Sequence, residues 1–454
     1  VPALAREGVV IIALCCLCGT ISSLDRMAMS VCIVPLSQEF GYTETVKGSI
    51  SSIFSIGYTI ALLPLALAQA VASPKYIMAL GVTTWSMLTV LTPAAAQLGV
   101  PYLLAARAGV GAAEAVTVPT IQTFVSRWVP KNQRSRALSV LYSCLQSGTI
   151  LALLVAPRLV QSDGYPAVFT TFGVLGFGWL ALWLPVAKDF PDRPKDCAFD
   201  DCAVDQIVGS NEEGEPIIGS PNIRSPATSP ASAFENVKSL PWGKFFGSQG
   251  LWAATIAHAA NNWGLYVSLA WLPTFFTQQY GMDLGKSSYY SLLPYAAGAV
   301  SSGLAGVTAD KLMSSGIDST RVRKIMQGIG SFGPLGCMLA LSSVSAGEPS
   351  SSETAAALFV AAVGLGAASS AGFGTSLQDI SGKYSGLLYG LTSIVSSITG
   401  AAGVYYTGVI LDSTHSWSNV FATTAGVYAL GGLWYTLFYD ASPMFKKGSV
   451  HADE

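Results

Sequence analysis

The chain has 454 residues, of which 51% are hydrophobic and only 11% are charged. Soluble domains carry about 25% charged residues, so this composition excludes a water-soluble protein and predicts a body that lies within a bilayer. The formal net charge of −2 provides no basic surface for a nucleic-acid partner.

Twelve apolar runs follow one another along the chain, each long enough for the about 20 residues that a spanning helix needs. In the first half they are predicted at 9–34, 46–72, 76–97, 101–127, 135–160 and 165–187. In the second half they are predicted at 248–277, 287–312, 323–344, 354–377, 382–411 and 416–439. The expected fold is therefore an all-α integral membrane protein made of two six-helix bundles.

The same runs predict the domain organisation. It comprises a first bundle at 1–187, a linker at 188–247, a second bundle at 248–440 and a tail at 441–454. The linker is rich in acidic residues, Ser and Pro, which cannot bury a core, so we expect it to be disordered. Two halves of similar length suggest a duplicated repeat, which places a binding site near the membrane midplane between them.

The distribution of Lys and Arg predicts the orientation of the chain. If the N-terminus lies on the inner, cytoplasm-equivalent side, 19 of the 24 basic residues fall in inner segments and three in outer segments. The other two, Arg26 and Arg107, fall inside predicted spans. The first run shows no signal-peptide cleavage pattern, and the start at Val1 rather than Met leaves room for a targeting segment that has been removed.

Ionisable residues within spans are costly and mark function by default. Here they are Asp25, Arg26, Arg107, Glu114 and His258. Arg107 and Glu114 are seven residues apart, which puts both on one helix face, about 10 Å apart along the axis. The pair either locks one helix to another or forms an anion site beside a protonatable carboxylate, because the planar fork of Arg suits phosphate and carboxylate oxygens.

Charge counting favours the anion site. With Asp25 and Glu114 ionised, their charges cancel those of Arg26 and Arg107, whereas protonation of Glu114 leaves +1 and attracts an anion. We therefore expect Glu114 to couple transport of a proton to that of an anion. Asp25 is a second candidate for ion coupling, with a structural role as the alternative.

The seventh span contributes a polar cluster. His258 is either a hydrogen-bonded packing residue or part of a polar cavity wall. Asn261 and Asn262 can bond to substrate oxygens or to a neighbouring helix. All three are candidate substrate ligands together with Arg26 and Arg107.

Charged residues at inner helix ends are candidates for gating. Arg134 and Arg136 lie at the start of the fifth span, and Asp310 lies at the end of the eighth. They represent either ordinary positive-inside charge or a salt-bridged latch between helix ends that is released as the halves rock.

Several motifs together resemble the anion:cation symporter branch of the major facilitator superfamily. They are Leu24 to Ser30, the Arg107 to Glu114 spacing that continues into Val118-Pro119, Trp128-Val129-Pro130 followed by Arg134 and Arg136, His258 to Gly264, and Asp379-Ile380 with Lys383-Tyr384. The motif from His258 to Gly264 is similar to the seventh-helix motif of the plastid phosphate transporter group. The motif Asp379-Ile380 with Lys383-Tyr384 resembles the loop after the tenth helix of the branch, and it adds Asp379 to the gating candidates.

The resemblance implies a carrier that works by alternating access, with Arg26 handling substrate. The expected substrate is inorganic phosphate, the expected coupling ion is Na⁺ or H⁺, and no other cofactor or metal is expected. Expected partners are the small anion and the bilayer, with a monomeric chain and a plastid envelope or thylakoid membrane as the location; another organelle or the plasma membrane is the alternative. Competing functions are an organic-anion carrier and a receptor or scaffold that does not transport. An enzyme is not expected, because no nucleophile–base pair, metal cluster or nucleotide loop is present.

The sequence departs from the branch pattern at two places, which affect the expected gate and the expected substrate. The segment at 67–75 is a degenerate version of the usual loop between the second and third helices, so the first-half gate is expected to work differently. Asn261 stands where vesicular glutamate carriers have an Arg, which disfavours a dicarboxylate and favours phosphate-like anions.

Overall fold

The computed structural model describes residues 6–129, 134–190, 240–344, 351–381 and 384–444. Within these ranges the α-helices are α1 (Arg6–Phe40), α2 (Glu44–Val71), α3 (Pro74–Leu98), α4 (Val100–Glu114), α5 (Thr117–Trp128), α6 (Arg134–Asp163), α7 (Tyr165–Val186), α8 (Trp242–Phe246), α9 (Gln249–Tyr280), α10 (Leu284–Ser314), α11 (Ser319–Ser343), α12 (Ser351–Gly366), α13 (Phe373–Ser381), α14 (Ser385–Thr414) and α15 (Trp417–Phe438). The predicted all-α, two-bundle membrane fold is confirmed.

Two of the predicted spans are interrupted helices. The fourth is divided into α4 and α5 by a turn at Ala115 and Val116, directly after Glu114. The tenth consists of α12, a 3₁₀ turn at Ala367–Ser370 and α13. Eight helical stretches of the described chain are individually long and apolar enough to cross a membrane, and the remaining spans pack among them.

Local sequence signals explain where several helices begin. The side chain of Thr43 accepts a hydrogen bond from Val46 N at the start of α2 (3.3 Å), and Asp283 does the same for Lys286 N at the start of α10 (2.9 Å). These side chains satisfy amide groups that have no partner inside the helix. At the end of α9, Gly281 takes the left-handed conformation with φ 62°, which suits a residue without Cβ.

Each half forms a bundle of its own. In the first half α1 packs along α6, α2 along α4, and α3 along α4 and α7. In the second half α9 packs along α14 and α15, α11 along α15 and α12, and α10 along α12. The halves meet mainly where α2 lies on α14, α6 on α10 and α1 on α9.

Contacts between the halves lie at the outer side. One buried apolar cluster includes Leu36 and Ile50 of the first half and Tyr295 of the second, with Leu269 and Leu284 packed against it. The buried clusters at the inner ends of the helices each draw on a single half. Within the described residues the molecule is therefore closed on the outer side and open on the inner side, the side on which α1 begins.

Parts of the predicted linker and tail are ordered. The last residues of the linker form α8, and Phe245 is buried there with its ring against Tyr384. Met444 N in the tail donates to Ile380 O at 2.8 Å. Residues 191–239 and 445–454 lie outside the described residues, as does Lys383. The expectation that Asp379 lies in a loop was wrong, because α13 continues through it to Ser381.

Candidate functional site

An ion pair between α1 and α4 lies at the centre of the first half. Arg26 Nη2 is 3.3 Å from Glu114 Oε2, and Ser22 Oγ donates to the same oxygen at 3.0 Å. Glu114 is fully buried, but 46% of the Arg26 side chain is exposed. An exposed guanidinium in the middle of a spanning helix means that an open space reaches the bilayer interior at this point.

Phe54 of α2 is close to both guanidinium groups of the site. Its ring centroid is 5.1 Å from Arg26 Cζ and 5.3 Å from Arg107 Cζ, and Tyr58 is 5.5 Å from Arg26 Cζ. These distances allow cation–π attraction between the Phe54 ring and both guanidiniums. Gly111 makes the arrangement possible, because a Cβ at that position would lie 2.0 Å from Phe54 O.

Three buried charged groups of the site lack full hydrogen bonding among the described residues. Arg107 is 3% exposed, its Nε has no partner, and no described carboxylate lies within 4 Å of its guanidinium. Asp25 is 1% exposed and faces the Trp85 indole, yet neither of its oxygens forms a hydrogen bond of normal geometry. Glu114 Oε1 is also buried and unpaired. Such groups are rare in folded proteins, and this concentration of them makes the cluster a candidate ligand site.

The second half contributes neutral polar groups. His258 is buried, and its ring nitrogens lie 3.3 Å from Thr392 Oγ1 and 3.2 Å from Ser396 Oγ. Asn262 Nδ2 donates to the same Ser396 hydroxyl at 3.0 Å. Asn261 is half-buried, and its side-chain amide forms no hydrogen bond with another described residue.

The packing around His258 explains its role in this conformation. The imidazole stacks on Phe373 at 4.4 Å and on Tyr389 at 5.6 Å. Because both ring nitrogens have hydroxyl partners and the ring is stacked on two aromatic side chains, His258 is a buried packing residue in this conformation. Of the three residues predicted on the seventh span, Asn261 is the one with an available amide.

A cluster of four tyrosines was not predicted from the sequence. Tyr58, Tyr142, Tyr266 and Tyr389 belong to four helices of both halves, and each phenol lies within electrostatic range of two of the others. The phenols of Tyr58 and Tyr266 also lie within electrostatic range of the Arg26 guanidinium. Tyr142 and Tyr389 are each 48% exposed. No spacing rule in the sequence relates residues on four separate helices, so only the fold could reveal this cluster.

The gating candidates with described side chains do not form a salt-bridged latch between the two halves. Asp379 pairs with Arg323 of α11 through Nε–Oδ2 at 2.7 Å and Nη2–Oδ1 at 3.3 Å, within the second half. Asp310 is exposed and forms no ion pair with a described residue. The side chains of Arg134 and Arg136 lie outside the described residues. The described pair therefore stabilises one bundle and does not join the two halves.

The arrangement suits passage of a solute and not chemistry. No group of three or more His, Cys, Asp or Glu side chains in the described part of the chain is placed to hold a metal ion. The cationic groups come from the first half and the neutral hydrogen-bonding groups from the second, around a space open on one side. Fold and site together define a multi-pass membrane transporter.

Comparison with known proteins specifies the class. Residues 15–404 match the Major Facilitator Superfamily, and the chain belongs to this family of transporters, which are not enzymes. It is 34% identical over 430 residues to the "Sodium-dependent phosphate transport protein 1, chloroplastic" of Arabidopsis thaliana, covering 94% of this chain and 78% of that protein. It is equally 34% identical over 429 residues to the "Ascorbate transporter, chloroplastic" of the same plant, covering 94% and 74%.

Solved structures agree with the fold. A bacterial homologue of the human lysosomal transporter Spinster, in an inward-facing unoccupied conformation, superposes with a TM-score of 0.73 at 16% identity, covering 96% of this chain and 97% of that one. A D-xylose–proton symporter superposes with a TM-score of 0.72 at 13% identity, covering 98% and 100%.

Proposed function

We propose that this chain is a secondary active carrier of a small anion, driven by a coupling cation through alternating access. The observation that carries the proposal is Arg26, a half-exposed guanidinium next to a sealed carboxylate at bilayer depth. A charge held there is costly unless it has a partner. Glu114 is that partner in this structure, and an entering anion replaces it.

Coupling follows from the competition for Arg26. An ionised Glu114 occupies the Arg26 guanidinium, and a proton on Glu114 releases it. The local charge of Asp25, Arg26, Arg107 and Glu114 then changes from zero to +1. Proton and anion therefore enter the site together, and each one favours binding of the other. Na⁺ in place of H⁺ is the alternative, and the unpaired oxygens of Asp25 are the candidate ligands for it.

Inorganic phosphate is the leading substrate. Its oxygens match the fork geometry of Arg26, and Asn261 offers an amide in place of a third cation, which suits a compact anion. The relative named as a sodium-dependent phosphate transporter supports this choice. The relatives named as chloroplastic support a plastid membrane as the location.

An organic anion is the second candidate, and the tyrosine cluster favours it. Tyr58 of the first half and Tyr266 of the second lie within electrostatic range of Arg26, and their phenols can bond to hydroxyl groups or stack on a flat ring, which phosphate does not require. The relative named as an ascorbate transporter has a substrate of this kind.

Transport by the reconstituted chain tests both candidates. Proteoliposomes are loaded with buffer and supplied with labelled phosphate or ascorbate, with the Na⁺ gradient and the pH gradient imposed separately. We expect concentrative phosphate uptake under one gradient only. Concentrative uptake of ascorbate but not phosphate would select the second candidate. No uptake of either anion under either gradient would reject the proposed function for both substrates.

A further inference from the structure

The outer ends of α2 and α14 are joined by one carboxylate. Asp412, near the end of α14, accepts hydrogen bonds from Glu44 N at 2.9 Å through Oδ1 and from Thr45 N at 2.8 Å through Oδ2. Glu44 and Thr45 are the first two residues of α2. The acceptor therefore belongs to the second half and both donors belong to the first.

These two amides have no partner of their own within α2, because the first turn of a helix has no preceding carbonyl groups. The local cap, Thr43, accepts only from Val46 N. Asp412 therefore completes the capping of α2, and its negative charge lies at the positive end of the helix dipole. Both effects stabilise the contact only while the two halves touch.

Close approach of the two backbones allows Asp412 to reach the start of α2. A Cβ on Gly408 would lie 2.3 Å from Glu44 O, and one on Gly48 would lie 3.0 Å from Val404 O. The two glycines lie on opposite helices and let them cross almost without intervening side chains. The position of the crossing is thus built into α2 and α14.

The charged and polar groups around the cap reinforce it. Glu44 Oε1 accepts from Lys47 Nζ at 2.7 Å and from Gln278 Nε2 of α9 at 3.0 Å, the second contact again joining the halves. Lys47 is almost completely buried, with 7% of its side chain exposed. All of the hydrogen bonds between described residues of opposite halves lie in this outer group.

We propose that Asp412 is the latch of the outer gate: it caps α2 in the inward-facing state and releases it when the outer face opens. Release transfers the Glu44 and Thr45 amides to water and leaves the rest of α2 intact. The latch therefore biases the carrier towards the inward-facing state in the absence of substrate.

Asp189 provides a matched control within one half. It follows α7 and accepts from Lys75 N of α3 at 2.9 Å, and Ser73 Oγ also donates to it. It is a carboxylate that caps the start of another helix, as Asp412 does, but both partners move together when the halves rock.

Hydrogen exchange measured by mass spectrometry tests the latch on the purified full chain without any substrate. In Asp412→Ala we expect amides at the start of α2 and the end of α14 to exchange about tenfold faster, the size expected for loss of a helix cap. Inner-side peptides of α5 and α13 should become more protected as the outward-facing state is populated. Asp412→Asn keeps one acceptor oxygen and should show the same pattern more weakly.

Asp189→Asn should instead expose only the start of α3 and leave the α2 and α14 peptides unchanged. The proposal is overturned if Asp412→Asn and Asp412→Ala leave the α2 amides as protected as in the parent chain. It is equally overturned if the inner peptides lose protection together with the outer ones, because that result means general loosening and not a shift between two states.

Discussion

Replacing Glu114 with Gln tests how the proposed coupling works. The amide is nearly isosteric and can still accept the Ser22 hydrogen bond, but it cannot carry the charge that holds Arg26. The variant therefore resembles the protonated site at every pH. We expect it to bind the anion and to exchange it across the membrane, but not to accumulate it against a gradient.

The size of the effect follows from the 3.3 Å separation of Arg26 Nη2 and Glu114 Oε2. Coulomb attraction at that distance is about 5 kcal/mol at an effective dielectric constant of about 20 and about 1.3 kcal/mol in water. Because nearly half of the Arg26 side chain is exposed, the lower part of this range applies, about 1–2 kcal/mol. The ionised Glu114 therefore weakens anion binding by about 5- to 30-fold.

The assay is the apparent affinity for the labelled anion in exchange mode, measured across a pH series in proteoliposomes. The parent chain should lose affinity as pH rises, because Glu114 ionises and competes for Arg26. The Gln variant should keep the high, low-pH affinity throughout. Glu39→Gln is the control, since that carboxylate accepts from Tyr165 OH at 3.3 Å away from the site. If Glu114→Gln showed the parent pH dependence and uphill uptake, coupling through Glu114 would be wrong.

Two further predictions concern the packing that holds the site. Gly111→Ala should lower the thermal unfolding temperature and weaken anion binding, because its Cβ would lie 2.0 Å from Phe54 O. Gly306→Ala is the control and should change neither property, because no atom lies within 4 Å of a Cβ there. Equal behaviour of the two variants would contradict the close approach of α4 to α2 at Gly111. Asp379→Asn should destabilise the second bundle by about 2 kcal/mol through loss of the two-point contact with Arg323, measured by thermal unfolding, and should leave the exchange pattern of the outer gate unchanged. A shift of that pattern would show that the pair contributes to gating.

The number of spans and the identity of the buried charges could be predicted because both depend on composition along one helix. Hydrophobic length marks a span, and an Arg or Glu inside it stands out. The seven-residue spacing of Arg107 and Glu114 also placed both in one buried helix. It did not predict that Glu114 would pair with Arg26 and leave Arg107 and Asp25 without a partner.

Relations between helices could not be predicted in the same way. Phe54 reaches both guanidiniums because α2 and α4 approach closely at Gly111, and a single sequence contains no distance between two helices. Asp412 and Glu44 are 368 residues apart, and no local pattern relates them. The break of the fourth span after Glu114 has neither Pro nor Gly at the turn residues 115 and 116, so the usual signal for a helix end is missing.

Equilibrium binding of labelled phosphate, and of labelled ascorbate, to the purified chain and to its Arg26→Ala variant tests whether Arg26 binds the anion. The matched control is Arg158→Ala, which removes an exposed guanidinium of α6. We expect Arg26→Ala to lose binding of whichever anion the parent chain binds, while Arg158→Ala keeps it. Unchanged anion affinity in the Arg26→Ala variant would contradict a substrate site at the open guanidinium between the two halves.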